Sequence, residues 1–253
     1  MSTVLTSVNG AVRTITLNRP EKRNAMNAEL LTGLEAAFRV EPGVAERVVV
    51  LRANGPSFCA GLDLRERVAA GGARGASPIE VVLHLVENYP LPVVGVVQGD
   101  AIAGGNELAL HCDFVVASTS ARFGMSLAQI GLAPTWFLAK KLLEVAGPVA
   151  SREILLLGDP VSATRMHALG VISRLASPET LEAEAALVID RLAANAPLSL
   201  RAMKSLLVRE MQFRDGIPHE DVDRLVDAAR TSGDAREGMA ARLEKRTPAF
   251  TGD

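Results

Sequence analysis

Residues 93–113 combine a candidate strand, a glycine turn and a carboxylate within one short segment. The first five residues, VVGVV, suit a short buried strand. Gly104 and Gly105 permit a tight turn, and from Asn106 the sequence is typical of a helix. Backbone N–H groups at a helix start lack partners within the helix and carry partial positive charge, so they can stabilise an oxyanion. Glu107 stands about one turn into this helix, where a carboxyl group can move protons on a bound molecule.

Glu107 also has a plainer interpretation. A glutamate near a helix N-terminus is stabilised by the helix dipole, and such residues are common without any catalytic role. Taken alone, the segment would favour that structural role. The choice therefore depends on whether the rest of the chain supplies the other parts of an active site.

Several segments resemble the crotonase (enoyl-CoA hydratase/isomerase) superfamily. That family shows a glycine-rich turn, a glutamate and a Cys-Asp pair close behind, which here are GGNE at 104–107 and Cys112-Asp113. Its Phe-x-Ala-Gly-x-Asp loop matches FCAGLD at 58–63, and further matches are EKRNAMN at 21–27 and RFG at 122–124. The resemblance covers nearly the whole chain and favours the catalytic interpretation of Glu107.

The resemblance implies an oxyanion hole made of two backbone N–H groups. In crotonases one donor belongs to the residue after the loop glycine, here Leu62, and the other to the glycine three before the glutamate, here Gly104. A backbone donor works with any side chain, so a leucine at position 62 is acceptable. The resemblance further implies a CoA thioester as substrate, Glu107 as the acid or base, and no permanently bound cofactor.

Family hydratases use a second glutamate, and at its position this sequence has Leu127. A leucine cannot donate a proton, and a more apolar pocket raises the pKa of Glu107 by desolvation. Plain two-glutamate hydration is therefore not expected. Single-carboxylate chemistry stays open: double-bond isomerisation, inefficient hydration, or another enolate reaction such as decarboxylation.

Two further interpretations follow from Leu127. Asp100, in the turn before Gly104, is a candidate substitute acid, although aspartates in such places are more often turn formers. Alternatively, the protein is a non-catalytic acyl-CoA-binding crotonase homologue that kept the fold and lost the chemistry. Retention of Glu107 disfavours this second interpretation.

CoA carries phosphates, so its site needs positive charge and backbone donors. The resemblance places five residues at the CoA: Lys22, Ala25, Ala60, Arg65 and Lys245, the last reaching CoA from an adjoining subunit. Each cation taken singly is more commonly a solvated surface residue. Neither GxGxxG nor GxxxxGK[ST] occurs, so nicotinamide or ATP use is not indicated, and neither the cysteine spacing nor the histidines indicate a metal site.

The composition excludes several other classes. The chain has 253 residues, 48% of them hydrophobic and 22% charged, as in ordinary globular proteins. Its net charge of −2 argues against nucleic acid or an anionic membrane as the main partner. The N-terminus lacks the pattern of a secretory leader, and no apolar run approaches the roughly 18 residues of a membrane span. We therefore expect a cytoplasmic protein that does not bind membranes.

The elements that must position these residues alternate between strands and helices. Residues 4–17 predict a hairpin around Asn9-Gly10, Asn27 is a candidate N-cap of the first helix, and residues 171–175 predict the last strand. The chain beyond Pro178 is almost all helical, with helices opening at Pro197 and Pro218. Periodicity alone favours an α/β fold with a doubly wound sheet. The resemblance instead implies a crotonase-type spiral of ββα turns over residues 1–195. It also implies a helical trimerisation segment at 196–253, and hence a homotrimer or hexamer.

The Gly- and Ala-rich segment 69–78 predicts a mobile loop. This loop either covers the acyl end of a substrate or is ordinary protein surface.

Overall fold

The computed structural model describes residues 2–69 and 78–253, so the segment predicted to be a mobile loop lies outside the described residues except at its two ends. The described part contains nine strands: β1 (Val4–Asn9), β2 (Val12–Leu17), β3 (Val48–Ala53), β4 (Val93–Val97), β5 (Ala101–Ile102), β6 (Phe114–Ser118), β7 (Arg122–Gly124), β8 (Val161–Ser162) and β9 (Arg174–Ala176). Its α-helices are α1 (Ala28–Arg39), α2 (Leu64–Ala69), α3 (Pro78–Glu87), α4 (Gly104–Leu110), α5 (Trp136–Arg152), α6 (Ala163–Ala168), α7 (Leu181–Ala194), α8 (Pro197–Glu210), α9 (Glu220–Thr231) and α10 (Gly233–Glu244).

The strands form two sheets through which the chain advances in one direction. The larger sheet has the order β1-β2-β3-β4-β6-β9, parallel except for the initial hairpin. In the smaller sheet Cys59 pairs with Ala101, and Ala101 pairs with Phe123, both in parallel. Successive turns of the chain therefore add to one sheet and then to the other, which makes a spiral. The doubly wound interpretation is wrong, because the strand order never reverses.

Burial follows the apolar pattern of the strands. The predicted hairpin is confirmed, with Gly10 at φ 56° in its turn, and the inward side chains Ile15 and Leu17 of β2 are fully buried. All five residues of β4 are buried, because helices or strands cover both faces of this part of the sheet. Such a strand reads as a continuous apolar run.

Side-chain hydrogen bonds define where several elements begin. The Asn27 side chain accepts from the Leu30 N–H and caps α1, as its position predicts. The Asp113 carboxylate accepts from the Val93 N–H at 2.7 Å and from Lys204 Nζ at 2.7 Å. A buried lysine of α8 is thus tied to the start of the central strand.

The helical C-terminal part also packs on the spiral through α7 and α10. Apolar residues of α7 form a second core cluster with β3, β4 and β6. Helix α10 packs on α2 and on the 3₁₀ turn Ala128–Ile130, where a Cβ on Gly238 would stand only 2.4 Å from the carbonyl carbon of Ile130. The sequence predicted helices opening at Pro197 and Pro218 but not α10, whose buried face consists mainly of small residues. No helix in the described ranges is both long and apolar enough to cross a membrane.

Candidate active site

The turn before α4 adopts an unusual backbone conformation. Ala103 has φ 50° and ψ −120°, and its N–H donates to the Gly124 carbonyl at 2.7 Å. A non-glycine residue in such a region costs on the order of 1–3 kcal/mol, and these residues cluster at functional sites. The turn aims α4 into the core, so that every residue from Gly105 to Leu110 is buried.

The loop that contains Gly61 lies directly against this turn. A Cβ on Gly61, whose φ is 89°, would stand 2.9 Å from the Ile102 carbonyl oxygen and 3.2 Å from the Gly104 nitrogen. Only glycine permits this approach. The two backbone segments that carry the predicted donors are therefore neighbours.

The orientation of the Leu62 N–H follows from its pairing with Met26. The Met26 N–H donates to the Gly61 carbonyl at 2.7 Å, and the Asp63 N–H donates to the Met26 carbonyl at 2.9 Å. In such a parallel bridge the intervening residue points its own N–H away from its partner, so the Leu62 N–H points away from Met26. Within the described ranges, neither the Leu62 nor the Gly104 N–H donates to a protein acceptor.

A cavity of about 130 Å³ opens beside these two residues. Its walls are mainly apolar, with Leu62, Leu127, Ile130 and Leu138 among them. Glu107 is the one carboxylate among the described residues that line it. Ala60, Leu62, Gly104, Glu107 and Leu127, all singled out by the sequence, thus meet at one cavity.

The Glu107 carboxyl group is completely buried and unpartnered. Its side chain has no solvent exposure, and neither oxygen has a hydrogen-bond partner among the described residues. Burial raises the pKa of Glu107 to about 8; the charge of Lys141 opposes this shift and that of Glu80 adds to it. The carboxyl group is therefore mostly protonated at neutral pH, and it is available to a ligand.

His111, one turn further along the chain, packs rather than faces the cavity. Its Nδ1 lies 2.7 Å from the Glu107 backbone carbonyl oxygen, and its ring stacks on Phe137. Burial lowers the pKa of His111 to about 4, with Lys141 adding to the shift, so the ring is neutral. Its Nδ1 then donates to the carbonyl as the protonated ring nitrogen.

Leu127 lies where the cavity wall meets the C-terminal helices. It precedes the 3₁₀ turn Ala128–Ile130 and packs against both the main core and the small cluster that includes Ala235 and Met239 of α10. Leu127, predicted from the sequence to take the place of the family's second glutamate, is therefore part of an apolar wall.

The structure does not bring Asp100 to the cavity. Its carboxylate accepts two bonds from Arg122, from Nε at 3.0 Å and from a terminal nitrogen at 2.5 Å, and it is partly exposed to solvent. This ion pair holds Asp100 in the turn, outside the cavity, so the carboxylate does not supply a second acid there.

The residues expected at the CoA lie mostly outside the cavity. Lys22 and Arg65 are exposed, and the Ala25 carbonyl accepts from Arg19 at 2.6 Å. Lys245 ends α10 with φ 57° and is exposed. Of the five, only Ala60 lines the cavity.

Three arginines that the sequence did not single out also line the cavity: Arg67, Arg230 and Arg242. Arg67 comes from α2, whereas Arg230 and Arg242 come from the consecutive helices α9 and α10, which lie far from α2 in the chain. No local pattern marks them, since each stands among other polar residues of a helix.

Comparison with known proteins gives the family. The model of the enoyl-CoA hydratase/isomerase family matches residues 7–253. The chain belongs to this family. A putative enoyl-CoA hydratase of Thermus thermophilus is 38% identical over 254 residues, which cover 95% of this chain and 98% of the relative. The 1,2-epoxyphenylacetyl-CoA isomerase of Escherichia coli is 34% identical, with 100% and 99% covered.

A solved structure shows how far the fold agrees. A methylmalonyl CoA decarboxylase complexed with 2S-carboxypropyl CoA superposes with a TM-score of 0.92 at 25% identity, covering 100% of this chain and 99% of the other. The crotonase-type fold with a helical C-terminal segment is therefore confirmed. The relatives and the solved structure carry the names of three different reactions.

Proposed function

We propose that the protein is an acyl-CoA enzyme that stabilises the enolate of a CoA thioester. The N–H groups of Leu62 and Gly104 hold the thioester oxygen, and Glu107 moves protons at the neighbouring carbons. The observation that carries this proposal is the Glu107 carboxyl group, which is buried without a partner in the cavity that Leu62 and Gly104 also line. A buried polar group left unpaired is costly, and a substrate would give it a partner.

The two proposed donors act where charge develops. When a proton leaves the carbon next to the thioester, negative charge moves to the thioester oxygen. Preorganised N–H groups at that oxygen stabilise it, and loss of one such donor costs about 3–4 kcal/mol in comparable sites. A carboxyl group whose pKa is near the working pH is an efficient acid or base, and the value of about 8 for Glu107 meets this condition.

The apolar Leu127 favours chemistry with a single carboxyl group. One carboxylate can take a proton from one carbon and return it to another, which isomerises a double bond, or it can activate water for slow hydration. The names of the relatives include both a hydratase and an isomerase. We therefore propose an enoyl-CoA reaction of the hydratase/isomerase type in which Glu107 serves both as acid and as base.

The test replaces Glu107 with its neutral isostere. Glu107→Gln should lower kcat on trans-2- and 3-enoyl-CoA substrates by at least about 100-fold, since general acid–base catalysis contributes roughly 10²–10⁴-fold. Glu29→Gln is the matched control, because Glu29 also stands in the first turn of a helix but is exposed. Unchanged turnover of Glu107→Gln would remove Glu107 from the mechanism.

A non-catalytic acyl-CoA-binding protein is the second candidate, favoured by Leu127 and the apolar cavity wall. Absorbance of the conjugated enoyl thioester distinguishes the two functions. Crotonyl-CoA, longer trans-2-enoyl-CoAs and 3-enoyl-CoAs that all bind tightly without any change in absorbance would establish the binding function. A change in absorbance with any of them would establish catalysis.

The proposal extends to CoA contacts and subunits. Lys22, Ala25 and Arg65 are proposed to contact the adenine and phosphates outside the cavity, and Lys245 to reach the CoA of an adjoining subunit. Exposed apolar side chains on α8 and α9, among them Leu198 and Leu225, support association into a trimer or hexamer. Lys245→Ala should then weaken CoA binding only in the assembled protein.

A further inference from the structure

Three guanidinium groups line the otherwise apolar cavity without acidic partners. Arg67, Arg230 and Arg242 have no aspartate or glutamate oxygen within 4.0 Å. Every acidic residue of the chain lies in the described ranges, because residues 70–77 contain none. The missing partner is therefore not hidden in the undescribed segment.

Two of these arginines are largely removed from water. Arg230 is only 9% exposed, and the Nε of Arg67 is buried without a hydrogen-bond partner among the described residues. Burial, and then the positive charge of Arg230, lower the pKa of Arg67. Two like charges held near each other in a weakly polar environment are unfavourable unless an anion joins them.

Arg242 differs from the other two. It is exposed, and a terminal nitrogen lies 3.5 Å from the Gln129 side-chain oxygen. It therefore stands at the cavity edge, where it can add a third positive charge.

The carboxylates near the three arginines do not neutralise them. Arg230 also borders a neighbouring cavity that Glu80, Asp223 and Asp227 line, but no carboxylate there comes within 4.0 Å of it. Glu107 shares the first cavity with the arginines, yet neither of its oxygens has a hydrogen-bond partner among the described residues, so none of the three arginines pairs with it. The carboxyl group and the guanidinium groups thus occupy different parts of one cavity.

A ligand that spans this cavity meets both parts. With its thioester at the Leu62 and Gly104 N–H groups and its reacting carbons at Glu107, the far end of its acyl group would lie among the arginines. Arginine presents a planar fork of donors that matches a carboxylate with two parallel hydrogen bonds. We propose that the natural substrate is an acyl-CoA whose acyl group carries a carboxylate, and that Arg67 and Arg230 hold this carboxylate. This inference rests on the proposed function.

The first experiment compares two saturated ligands that cannot react. Hexanoyl-CoA and adipoyl-CoA both have six acyl carbons, but the first ends in a methyl group and the second in a carboxylate. Calorimetric titration of the full-length protein should give a Kd at least 10-fold lower for adipoyl-CoA. Equal affinity, or tighter binding of hexanoyl-CoA, overturns the inference and leaves the proposed function standing. Failure to bind either ligand overturns both.

The second experiment locates the preference. Arg230→Met and Arg67→Met should each weaken adipoyl-CoA binding by about 10-fold or more while hexanoyl-CoA binding stays within about 2-fold. Arg224→Met, an exposed position on the same helix as Arg230, is the matched control and should keep the preference. Circular dichroism shows whether each variant is folded. If Arg230→Met does not fold, Arg67→Met on α2 alone is used for the comparison.

A phosphate of CoA is the other anion that these arginines can bind. In that case the arginine substitutions would weaken the binding of hexanoyl-CoA, adipoyl-CoA and free CoA by the same factor. That result would overturn the assignment of the arginines to the acyl carboxylate. Loss confined to adipoyl-CoA supports it.

Discussion

The carboxyl group of Glu107 sits where its neutral form is favoured, and this sets the pH dependence of catalysis. Burial raises its pKa to about 8, so the basic form is the minor one at pH 7. If Glu107 begins the reaction as a base, kcat/KM should rise with pH and level off above about 8, because kcat/KM reports the free enzyme. Initial rates from pH 6 to 10 measure this. A profile that is flat from pH 6 to 9 would contradict the assignment.

The same shift makes the folded protein less stable at higher pH. Between its unfolded pKa near 4.5 and its folded pKa near 8, Glu107 keeps its proton more firmly in the folded state, so the free energy of unfolding falls as pH rises. His111 has the opposite effect, since its folded pKa of about 4 makes stability increase up to about pH 6.5. From pH 6.5 to 8, Glu107 is the one of these two groups that still changes the free energy of unfolding.

Glu107→Gln should remove this decline. We expect the wild type to lose about 2 kcal/mol more than the variant between pH 6.5 and 8, from roughly 1.4 kcal/mol per pH unit. Urea denaturation of both proteins at the two pH values measures the difference. Parallel pH dependences would show that Glu107 does not hold its proton in the folded protein.

At this scale the sequence predicted only part of the cavity. Leu62, Gly104, Glu107 and Leu127 could be placed because each has a fixed position relative to a glycine turn or a motif. The three arginines could not, because folding of distant helices brings them to the cavity. Asp100 shows the converse, since its nearness in sequence to Gly104 ends in an ion pair with Arg122.

Among the elements, the loop of Gly61 and the start of α4 depend on each other. A methyl group at position 61 would press on the Ile102 carbonyl, on the Ala103 Cβ at 3.0 Å and on the Gly104 nitrogen. Gly61→Ala should therefore lower the free energy of unfolding by about 1–3 kcal/mol. It should also reduce kcat by on the order of 100-fold, because both proposed donors are displaced.

The control for this substitution is Gly10→Ala. Gly10 also has a positive φ, of 56°, but an added Cβ would meet nothing within 4 Å. Chemical denaturation and enoyl-CoA turnover of both variants separate backbone strain from displacement of the donors. Equal activity of the two variants would contradict the proposed role of the Gly61 loop.

Elements with strong local signals were predicted well. The hairpin, β4 and the α1 cap follow from Asn-Gly, a valine run and Asn27. The last strand was expected at 171–175 but spans Arg174–Ala176, because the Ile172 carbonyl is engaged by His167 Nδ1 at 2.9 Å in the preceding turn. Helix α10 was missed since close approach of Gly238 to Ile130, not a wide apolar stripe, holds it in place.

For the whole molecule, periodicity alone gave the wrong winding. Alternating strands and helices are equally typical of doubly wound sheets and of spirals, and local sequence does not determine the order in which strands meet. The family resemblance distinguished them, and in the structure Cys59 and Phe123, which lie within its motifs, both pair with Ala101.

The outer face of the C-terminal helices leads to the last prediction. Leu207 on α8 is 64% exposed, and Leu198, Leu206 and Leu225 are similarly exposed on α8 and α9. Each such side chain gains about 1.5–3 kcal/mol when it is fully buried, so a face of this kind favours association of subunits. Light scattering after size exclusion should give three or six times the 26.7 kDa chain mass.

Leu207→Glu should shift the protein toward the monomer, because it places a charge in the apolar face. Val44→Glu should not, although Val44 is 97% exposed, because it lies in a loop outside those helices. A monomeric wild type, or equal dissociation of both variants, would count against assembly through α8 and α9.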